Sequence, residues 1–413
     1  MTPPSTSPAR IFYGWVVVAA AFAVTLIGFG SAYAFSVFVA SLQREFAASR
    51  GSVSLVFSLA GFLYFGLGVI SGPLADRFGA RRLAVAGMLL VGAGLAAVGM
   101  ARSLAEVYLA YGLGVGLGVG FSYVPVVGVV QRWFVKRRGF ASGIAVSGIG
   151  VGTLVVPPLA AWLIDLIGWR NTFITLGAIA AVVGTGMAAL IETDPHRRGL
   201  APDGAPIETS TPAPPLAGAT LQQAIRSRAF AALYTAAIMS SFGVFVPFVH
   251  LVPYAVDRGV PQASAVLLLG MIGVGSTAGR FLLGGVADRI GRDTTLLVAY
   301  IGMALALLLW SVSTSLTSLA VFAFVYGVVY GGWVAVMPAV AMDRFGGRQI
   351  SGVIGALYTS VAFGTLIGPT AAGYAFDVTG SYAVPILLAV AGNVAAALIT
   401  GMTASSSISR WNS

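Results

Sequence analysis

The chain has 413 residues, of which 58% are hydrophobic and 9% are charged, and it contains no cysteine. Soluble domains carry about 25% charged residues, so the composition excludes a soluble fold and predicts an integral membrane protein built of helices. The lack of cysteine excludes disulfides, thiolate metal sites and cysteine nucleophiles. The net charge of +10 does not indicate nucleic-acid binding, because the basic residues lie in short loops between apolar segments.

Apolar segments long enough to span a bilayer follow one another along the whole chain. The first segment is too long for the apolar region of a signal peptide. Six segments precede residue 192 and six follow residue 228, so twelve transmembrane helices are predicted. Their expected ranges are 11–40, 53–75, 83–101, 104–130, 140–166, 170–191, 229–256, 263–287, 294–313, 316–342, 350–376 and 381–403.

The composition changes between Glu192 and Thr220, where Pro, Gly, Ser and Thr are frequent. Such a composition is typical of a polar linker. We therefore predict an N-terminal six-helix bundle over residues 1–191, a cytoplasmic linker over 192–225 and a C-terminal six-helix bundle over 226–413.

The basic residues predict the orientation of the chain in the membrane. Of the 23 lysines and arginines, 17 fall on the side shared by both termini, five fall on the other side, and Arg280 lies within the membrane. Because cytoplasmic loops are enriched in Lys and Arg, both termini are predicted to be cytoplasmic. The expected location is the cell (inner or plasma) membrane.

The two halves of the chain repeat one another. Asp76 and Asp288 lie 212 residues apart in equivalent loops. The same offset joins Gly143 to Gly355, Gly152 to Gly364, Pro157 to Pro369, Asp165 to Asp377 and Gly168 to Gly380. A constant offset indicates duplicated six-helix halves, which place a substrate site near the membrane midplane between them.

Arg280 is the one full charge in the apolar part of the run from Ala263 to Asp288. It precedes Asp288 by ~12 Å of helix, too far for its guanidinium simply to reach interfacial water. A buried arginine costs roughly 2.5–3.5 kcal/mol at a helix centre, so it normally faces a cavity, a partner or a ligand. A structural arginine bonded to backbone carbonyls is the alternative. We predict that Arg280 binds the substrate.

A charged loop with the pattern G-x-x-x-D-R-x-G-x-R-R occurs in the first half and recurs in the second. The first copy contains Gly72, Asp76, Arg77, Gly79, Arg81 and Arg82, and the second copy keeps Gly284, Asp288, Arg289, Gly291 and Arg292. This doubled loop resembles the hallmark loop of the major facilitator superfamily, which implies an all-α membrane fold of twelve helices in two pseudo-symmetric six-helix bundles. Glycines allow close helix approach, and Asp and Arg cap helix ends and pair, so we predict a gating role. The predicted gating residues are Gly72, Asp76, Arg77, Asp288 and Arg289. Solvated charges that only set the topology are the alternative.

Three further stretches have a more specific likeness. They are Tyr13–Val17 with Phe38–Phe46, Trp133–Phe134 with Lys136–Gly148, and Ser241–His250 with the Arg280 helix. These stretches resemble the monocarboxylate transporters and the related oxalate/formate exchangers, in which the arginine receives the substrate carboxylate. The first stretch lacks the acidic residue and extra glycine that usually precede Trp15. Ser276 stands where the family often has an aspartate, and Tyr33 where it often has a lysine. The family's scheme for handling protons therefore does not transfer intact.

Intramembrane aromatic residues are candidates for the rest of the site, although packing or interface anchoring explains each of them too. The predicted substrate-binding residues are Arg280, Tyr123, Tyr33, Ser276, Tyr330, Trp333 and Tyr358. Tyr123 precedes Pro125, a helix irregularity expected to face the cavity. His250, between Pro247 and Pro253, is a candidate for proton coupling, and a satisfied structural histidine is the equal alternative. The run Gly112–Gly120 has a nucleotide-binding spacing but lies inside an apolar span, which favours helix packing.

These features predict a secondary transporter that moves a small monocarboxylate such as lactate or pyruvate by alternating access, together with a proton. A single buried cation neutralises a monoanion, and residues 350–376 contain no Lys or Arg that would serve a dianion. The alternatives are an organic anion exchanger of the oxalate/formate type, a proton-coupled drug exporter and a non-transporting sensor. An enzyme is disfavoured because the sequence shows no convincing pair of nucleophile and base and no cluster of metal ligands. The expected partners are the substrate, protons and the lipid bilayer, with no cofactor, metal or nucleic acid, and the chain is expected to be a monomer.

Overall fold

The computed structural model describes residues 12–134, 138–204, 218–346 and 348–408. Over these residues the chain forms twelve transmembrane helices in two pseudo-symmetric six-helix bundles, so the predicted fold class is confirmed. A bilayer offers no hydrogen-bond partner to the backbone, and a helix satisfies these groups within itself. Large apolar side chains at the periphery, such as Trp162 and Leu388, are more than half exposed and face the lipid.

The helices are numbered α1 to α12 in chain order. Their bounds are α1 Tyr13–Phe46, α2 50–78, α3 Ala80–Met100, α4 Leu104–Trp133, α5 138–167, α6 169–189, α7 Arg228–Asp257, α8 Gln262–Ile290, α9 Arg292–Val312, α10 Leu316–Phe345, α11 Ile350–Thr379 and α12 Ala383–Ile408. The first helix extends past its predicted end at residue 40, because its outer half packs against its neighbours as a second helical segment, Phe35–Phe46.

The division between α5 and α6 lies at Gly168 within an otherwise continuous 50-residue helical stretch. A straight helix of that length would measure ~75 Å, far more than the ~30 Å core of a bilayer. Gly168 has φ 78° and ψ 160°, a conformation that favours glycine, and the chain turns there. Its repeat partner Gly380 also has a positive φ, 66°, and ends α11 in the left-handed helical conformation.

The duplicated charged loops also fold alike. Gly79 has φ 87° and Gly291 has φ 91°, and each residue ends one helix and begins the next. Only glycine adopts this backbone conformation readily, so the offset of 212 residues in the sequence corresponds to a real structural repeat.

Helices α1 and α7 are bent near mid-membrane. The regular helix is interrupted at Ala34 in α1 and at Phe245 in α7. The bends face one another, and the rings of Tyr33 and Phe248 lie 4.7 Å apart between centroids. Both bends therefore turn aromatic side chains towards the space between the two halves.

The halves contact each other along α5 and α8 and along α2 and α11. A Cβ atom on Gly150 of α5 would lie 2.8 Å from the carbonyl oxygen of Gly273 in α8. A Cβ atom on Gly373 of α11 would lie 2.7 Å from the Cα of Gly51 in α2. Small residues thus bring backbones of different halves into direct contact, as expected where helices slide past one another.

The segment between the halves begins with short turns over Pro195–Arg198 and Pro202–Gly204. It ends in a short helix, Leu221–Ile225, held at the start of α11 by a 2.6 Å bond from the Leu221 N–H to Gln349 Oε1. Residues 205–217 of the predicted linker lie outside the described part of the chain. The boundaries at 191 and 226 remain predictions.

Candidate functional site

A small cavity lies between the two halves beside the bends of α1 and α7. Its lining residues are Phe29, Tyr33, Phe65, Tyr123, Ile149, Phe245, Arg280, Tyr330, Trp333, Val334, Tyr358 and Val361. The first five belong to the N-terminal half and the other seven to the C-terminal half. The cavity is therefore built jointly by the two repeats.

Arg280 of α8 is the charged member of this lining, and only 8% of the residue is exposed. Its Nη1 donates a 2.9 Å hydrogen bond to the carbonyl oxygen of Val146 in α5. Within the described part of the chain, its buried Nε and Nη2 atoms have no hydrogen-bond partner. The guanidinium is thus fixed through one nitrogen across the interface between the halves.

The two remaining nitrogens of Arg280 form one edge of the planar guanidinium, and their N–H groups point the same way. Such an edge donates two parallel hydrogen bonds to a carboxylate. A buried cation without a counter-charge strongly favours binding an anion. The geometry of Arg280 is therefore that of a receptor for one carboxylate.

Four tyrosines share the cavity lining with this cation, namely Tyr33, Tyr123, Tyr330 and Tyr358. Phenolic hydroxyls both donate and accept hydrogen bonds, so they can bind substrate oxygens that the guanidinium does not reach. The rings form the apolar wall, with Phe29 edge-on to Tyr123 at 5.0 Å between centroids.

The structure brings together six of the seven predicted substrate-binding residues, and their roles stay predictions. The six are Arg280, Tyr123, Tyr33, Tyr330, Trp333 and Tyr358. Ser276 is buried but is not part of the lining, because α8 presents it to α10. There a Cβ atom on Gly331 would lie 2.1 Å from the carbonyl oxygen of Ser276. The lining residues Phe29, Phe65 and Phe245 were missed, since nothing in the sequence distinguishes them from packing aromatics.

His250 lies away from the cavity, near the end of α7 that leads to Asp257. Its ring is 1% exposed, and both ring nitrogens have partners. Nε2 lies 2.8 Å from the carbonyl oxygen of Pro369, and Nδ1 lies 2.9 Å from the hydroxyl of Tyr382. The structure does not bring His250 next to Arg280, so a proton held on His250 would have no direct contact with a carboxylate in the cavity.

The predicted gating residues occupy the ends of α2 and α8. Arg77 and Arg289 are exposed, and no atom would contact a Cβ placed on Gly72 within 4 Å. The side chains of Asp76 and Asp288 lie outside the described part of the structure. Gating by these residues stays a prediction.

A twelve-helix membrane protein with a cavity shared by two repeated halves has the architecture of an alternating-access carrier. The sequence profile of the Major Facilitator Superfamily matches residues 20–316 and 267–407. The chain belongs to this superfamily, and it is a multi-pass transporter rather than an enzyme.

Two relatives refine this assignment. Monocarboxylate transporter 11 of Mus musculus is 30% identical over 397 residues, covering 94% of this chain and 87% of that protein. Monocarboxylate transporter 3 of Rattus norvegicus is 30% identical over 401 residues, covering 95% and 80%. The chain therefore belongs to the monocarboxylate transporter family, and the resemblance noted in the sequence is confirmed.

The fold is also similar to a solved structure. A bacterial homolog of the human lysosomal transporter Spinster, in an inward-facing and unoccupied conformation, aligns with a TM-score of 0.67. The alignment covers 94% of this chain and 96% of that chain at 16% identity. At this identity the similarity establishes the fold alone.

Proposed function

We propose that this transporter carries a small monocarboxylate of the lactate or pyruvate type across the membrane by alternating access, together with a proton. The single observation that carries the proposal is the Nε and Nη2 edge of Arg280, buried and without a partner in the described chain. The names of the relatives support the same substrate class. The tyrosine hydroxyls around Arg280 suit the second oxygen-bearing group of a hydroxy or oxo acid.

The charge of the site favours a monoanion over a dianion. Arg280 is the sole charged side chain among the residues that line the cavity in the described structure. One carboxylate neutralises it, whereas a second carboxylate would be buried without a partner. Exchange of a dianion such as oxalate is therefore the weaker alternative. Export of drugs by proton antiport lacks support too, because the lining residues include no carboxylate.

We propose that a coupled proton moves with the loaded carrier rather than with the empty one, for a reason of charge. An anion bound to Arg280 forms a neutral pair, while the site without an anion keeps an uncompensated cation. A proton that returns with the empty carrier would raise this charge further, so we place the proton on the loaded carrier, where it accompanies the substrate inward. We further propose a monomer in the cell membrane with both termini cytoplasmic, as the basic loops indicate.

Uptake into proteoliposomes tests this function. Labelled lactate and pyruvate should accumulate saturably, faster when the outside is acidic, and oxalate should compete at least about tenfold more weakly because its second charge is unpaired. Protein-free liposomes are the control. Uptake that prefers oxalate, or that ignores a pH gradient while requiring a trans anion, would replace the proposal with anion exchange.

The duplicated loops give a second prediction. Asp76→Asn and Asp288→Asn should slow turnover several-fold while changing substrate affinity little, because both positions lie at helix ends remote from Arg280. Arg44→Gln, an exposed change at the opposite end of the bundle, is the control. Comparing equilibrium binding with initial uptake rates separates the two effects. Unchanged turnover in both variants, with normal insertion, would mean that the loops only set the topology.

A further inference from the structure

Charged groups of different halves meet at one end of the bundle, at the start of α2. We call this end, which carries Arg50, the outer end, following the orientation that the basic residues predict. Arg50 binds Asp257 at the end of α7 through two parallel bonds, Nη1 to Oδ2 at 2.7 Å and Nη2 to Oδ1 at 2.8 Å. This bidentate pairing is the strong form of a charge-assisted hydrogen bond. It joins residues 207 positions apart in the sequence.

The backbone of α2 is held by a second carboxylate from the other half. Asp377 of α11 accepts hydrogen bonds from the N–H groups of Arg50 at 3.0 Å and of Gly51 at 2.8 Å. The first N–H groups of a helix have no partner within the helix, and a carboxylate there also interacts favourably with the helix dipole. Asp377 thus caps a helix that belongs to the opposite half.

These bonds exist only while the outer ends are closed. The contact of Gly51 with Gly373 leaves no space between the α2 and α11 backbones at this level. When the halves separate at the outer end, Arg50 must leave Asp257 and the start of α2 must leave Asp377. An alternating-access carrier passes through that separation in every cycle, so the free energy of these bonds contributes directly to the cost of outward opening.

His250 lies directly beneath this cluster and is joined to it. The carbonyl of Pro369 only accepts hydrogen bonds, so Nε2 of His250 carries the proton and Nδ1 accepts from the Tyr382 hydroxyl. Tyr382 in turn accepts a 3.1 Å bond from Nη1 of Arg50. Ser54 of α2 lies 3.4 Å from Nε2 and belongs to the other half.

A proton added to Nδ1 of His250 would disturb this arrangement in two ways. Nδ1 would become a donor, so the Tyr382 hydrogen would have to turn away from it. The added charge would also lie close to the cation of Arg50, since both groups contact the same Tyr382 hydroxyl. The titratable groups around the ring are Arg50 of α2, Asp377 of α11, Tyr382 at the start of α12, and Tyr254 and Asp257 of α7.

The repeat offers an internal comparison. Asp165 occupies the position in the first half that Asp377 occupies in the second. Asp165 is exposed, and within the described part of the chain it makes no hydrogen bond or ion pair. The fold therefore does not require a carboxylate bond at this position, and the use of Asp377 is specific to the interface between α2 and α11.

We propose that Arg50, Asp257 and Asp377 form the outer gate of the transport cycle, and that neutral His250 supports this gate by accepting the hydrogen bond of Tyr382, which Arg50 contacts in turn. His250 then acts on the rate of outward opening rather than as the carrier of the transported proton.

The gate can be measured without any substrate, so the result does not depend on which carboxylate is carried. Ser58 is fully buried in α2 about two turns below Arg50, and its hydroxyl has no partner in the described structure. The chain has no cysteine, so Ser58→Cys is the sole site for a membrane-impermeant maleimide applied to intact cells. Labelling of Val378→Cys, at a position 86% exposed at the outer end of α11, corrects for the effect of pH on the thiol.

Arg50→Gln and Asp377→Asn should each raise the corrected labelling rate of Ser58→Cys at least about tenfold. The first change removes the guanidinium that bonds Asp257 twice and Tyr382 once. The second removes the negative charge and leaves one acceptor oxygen for two N–H groups. Arg50→Lys should give an intermediate rate, since it keeps the positive charge but not the two parallel donors of the guanidinium. Asp165→Asn should leave the rate unchanged. Equal rates in Arg50→Gln, Asp377→Asn and the parent, with all proteins thermally stable, would overturn the gate.

The role of His250 has its own readout. His250→Ala should raise the corrected labelling rate several-fold, because it removes the acceptor of the Tyr382 hydroxyl that Arg50 also contacts. The corrected rate of the parent should change little between about pH 7.5 and pH 5.5, because the ring is buried and both of its nitrogens are bonded. The steady-state accumulation of lactate under a pH gradient should survive in His250→Ala. Loss of accumulation would make His250 the proton carrier, and an unchanged labelling rate would mean that it does not support the gate; either result overturns its role in the gate.

Discussion

Arg280→Gln should lower lactate and pyruvate uptake by about 100-fold or more while the protein still folds. The change removes two hydrogen bonds from a charged donor to the substrate carboxylate, each worth about 1.5–3 kcal/mol, and about 2.7 kcal/mol already corresponds to a factor of 100. Folding should persist because a glutamine amide can still donate to the Val146 carbonyl, and because an uncompensated buried charge disappears.

Arg280→Lys separates charge from geometry. An ammonium keeps the positive charge but has no planar edge with two parallel donors, so most of the uptake should still be lost. Uptake and equilibrium binding are measured on purified protein in liposomes, with Arg44→Gln as the control for loss of an exposed arginine. Near-normal uptake by well-folded Arg280→Gln would end the assignment of Arg280 as the carboxylate receptor.

Gly150→Val should abolish transport without unfolding the protein. A Cβ atom at residue 150 would lie 2.0 Å from Thr277 Oγ1 and 2.8 Å from the carbonyl oxygen of Gly273, both in the other half. The larger side chain holds α5 and α8 apart near Arg280, so the halves cannot close around the substrate. Each half keeps its own packing, so the fold should be retained. Uptake should fall at least about tenfold, because an added cost of about 1.4 kcal/mol for closing the halves corresponds to that factor.

Gly279→Ala provides the contrast, since its contact lies within one half. There a Cβ atom would lie 1.9 Å from the carbonyl oxygen of Val328, and neither backbone can move without separating α8 from α10. We expect a large loss of folded protein, seen as reduced yield and a lower melting temperature. Gly128→Ala, where a new Cβ has open space, should change neither property. If Gly150→Val transports normally, the α5–α8 contact is not part of the moving interface.

The sequence by itself determined the class of the protein, its twelve spans, its internal repeat and the position of Arg280 as a charge inside an apolar span. These properties are local or periodic. An apolar run of bilayer length, a constant offset and a charge inside an apolar segment can each be recognised from the order of residues alone. The sequence showed the offset that joins Gly168 to Gly380, while the positive φ angles at both residues emerged only from the structure.

The tertiary structure alone decided what surrounds Arg280 and how it is oriented. Helix bends at Ala34 and Phe245 select which aromatic residues face the cavity, and a backbone carbonyl at Val146, which no side-chain pattern reveals, fixes the guanidinium. The packing of α8 against α10 turned Ser276 away from the lining.

The outer gate was likewise invisible in the sequence. Arg50 and Asp257 resemble ordinary loop charges at span ends, and they meet only because α2 and α7 converge in space. The backbone of Arg50 meets Asp377 across 327 residues of chain. Contacts between distant segments depend on how whole helices pack across the two halves, and hydropathy and spacing carry no information about that packing.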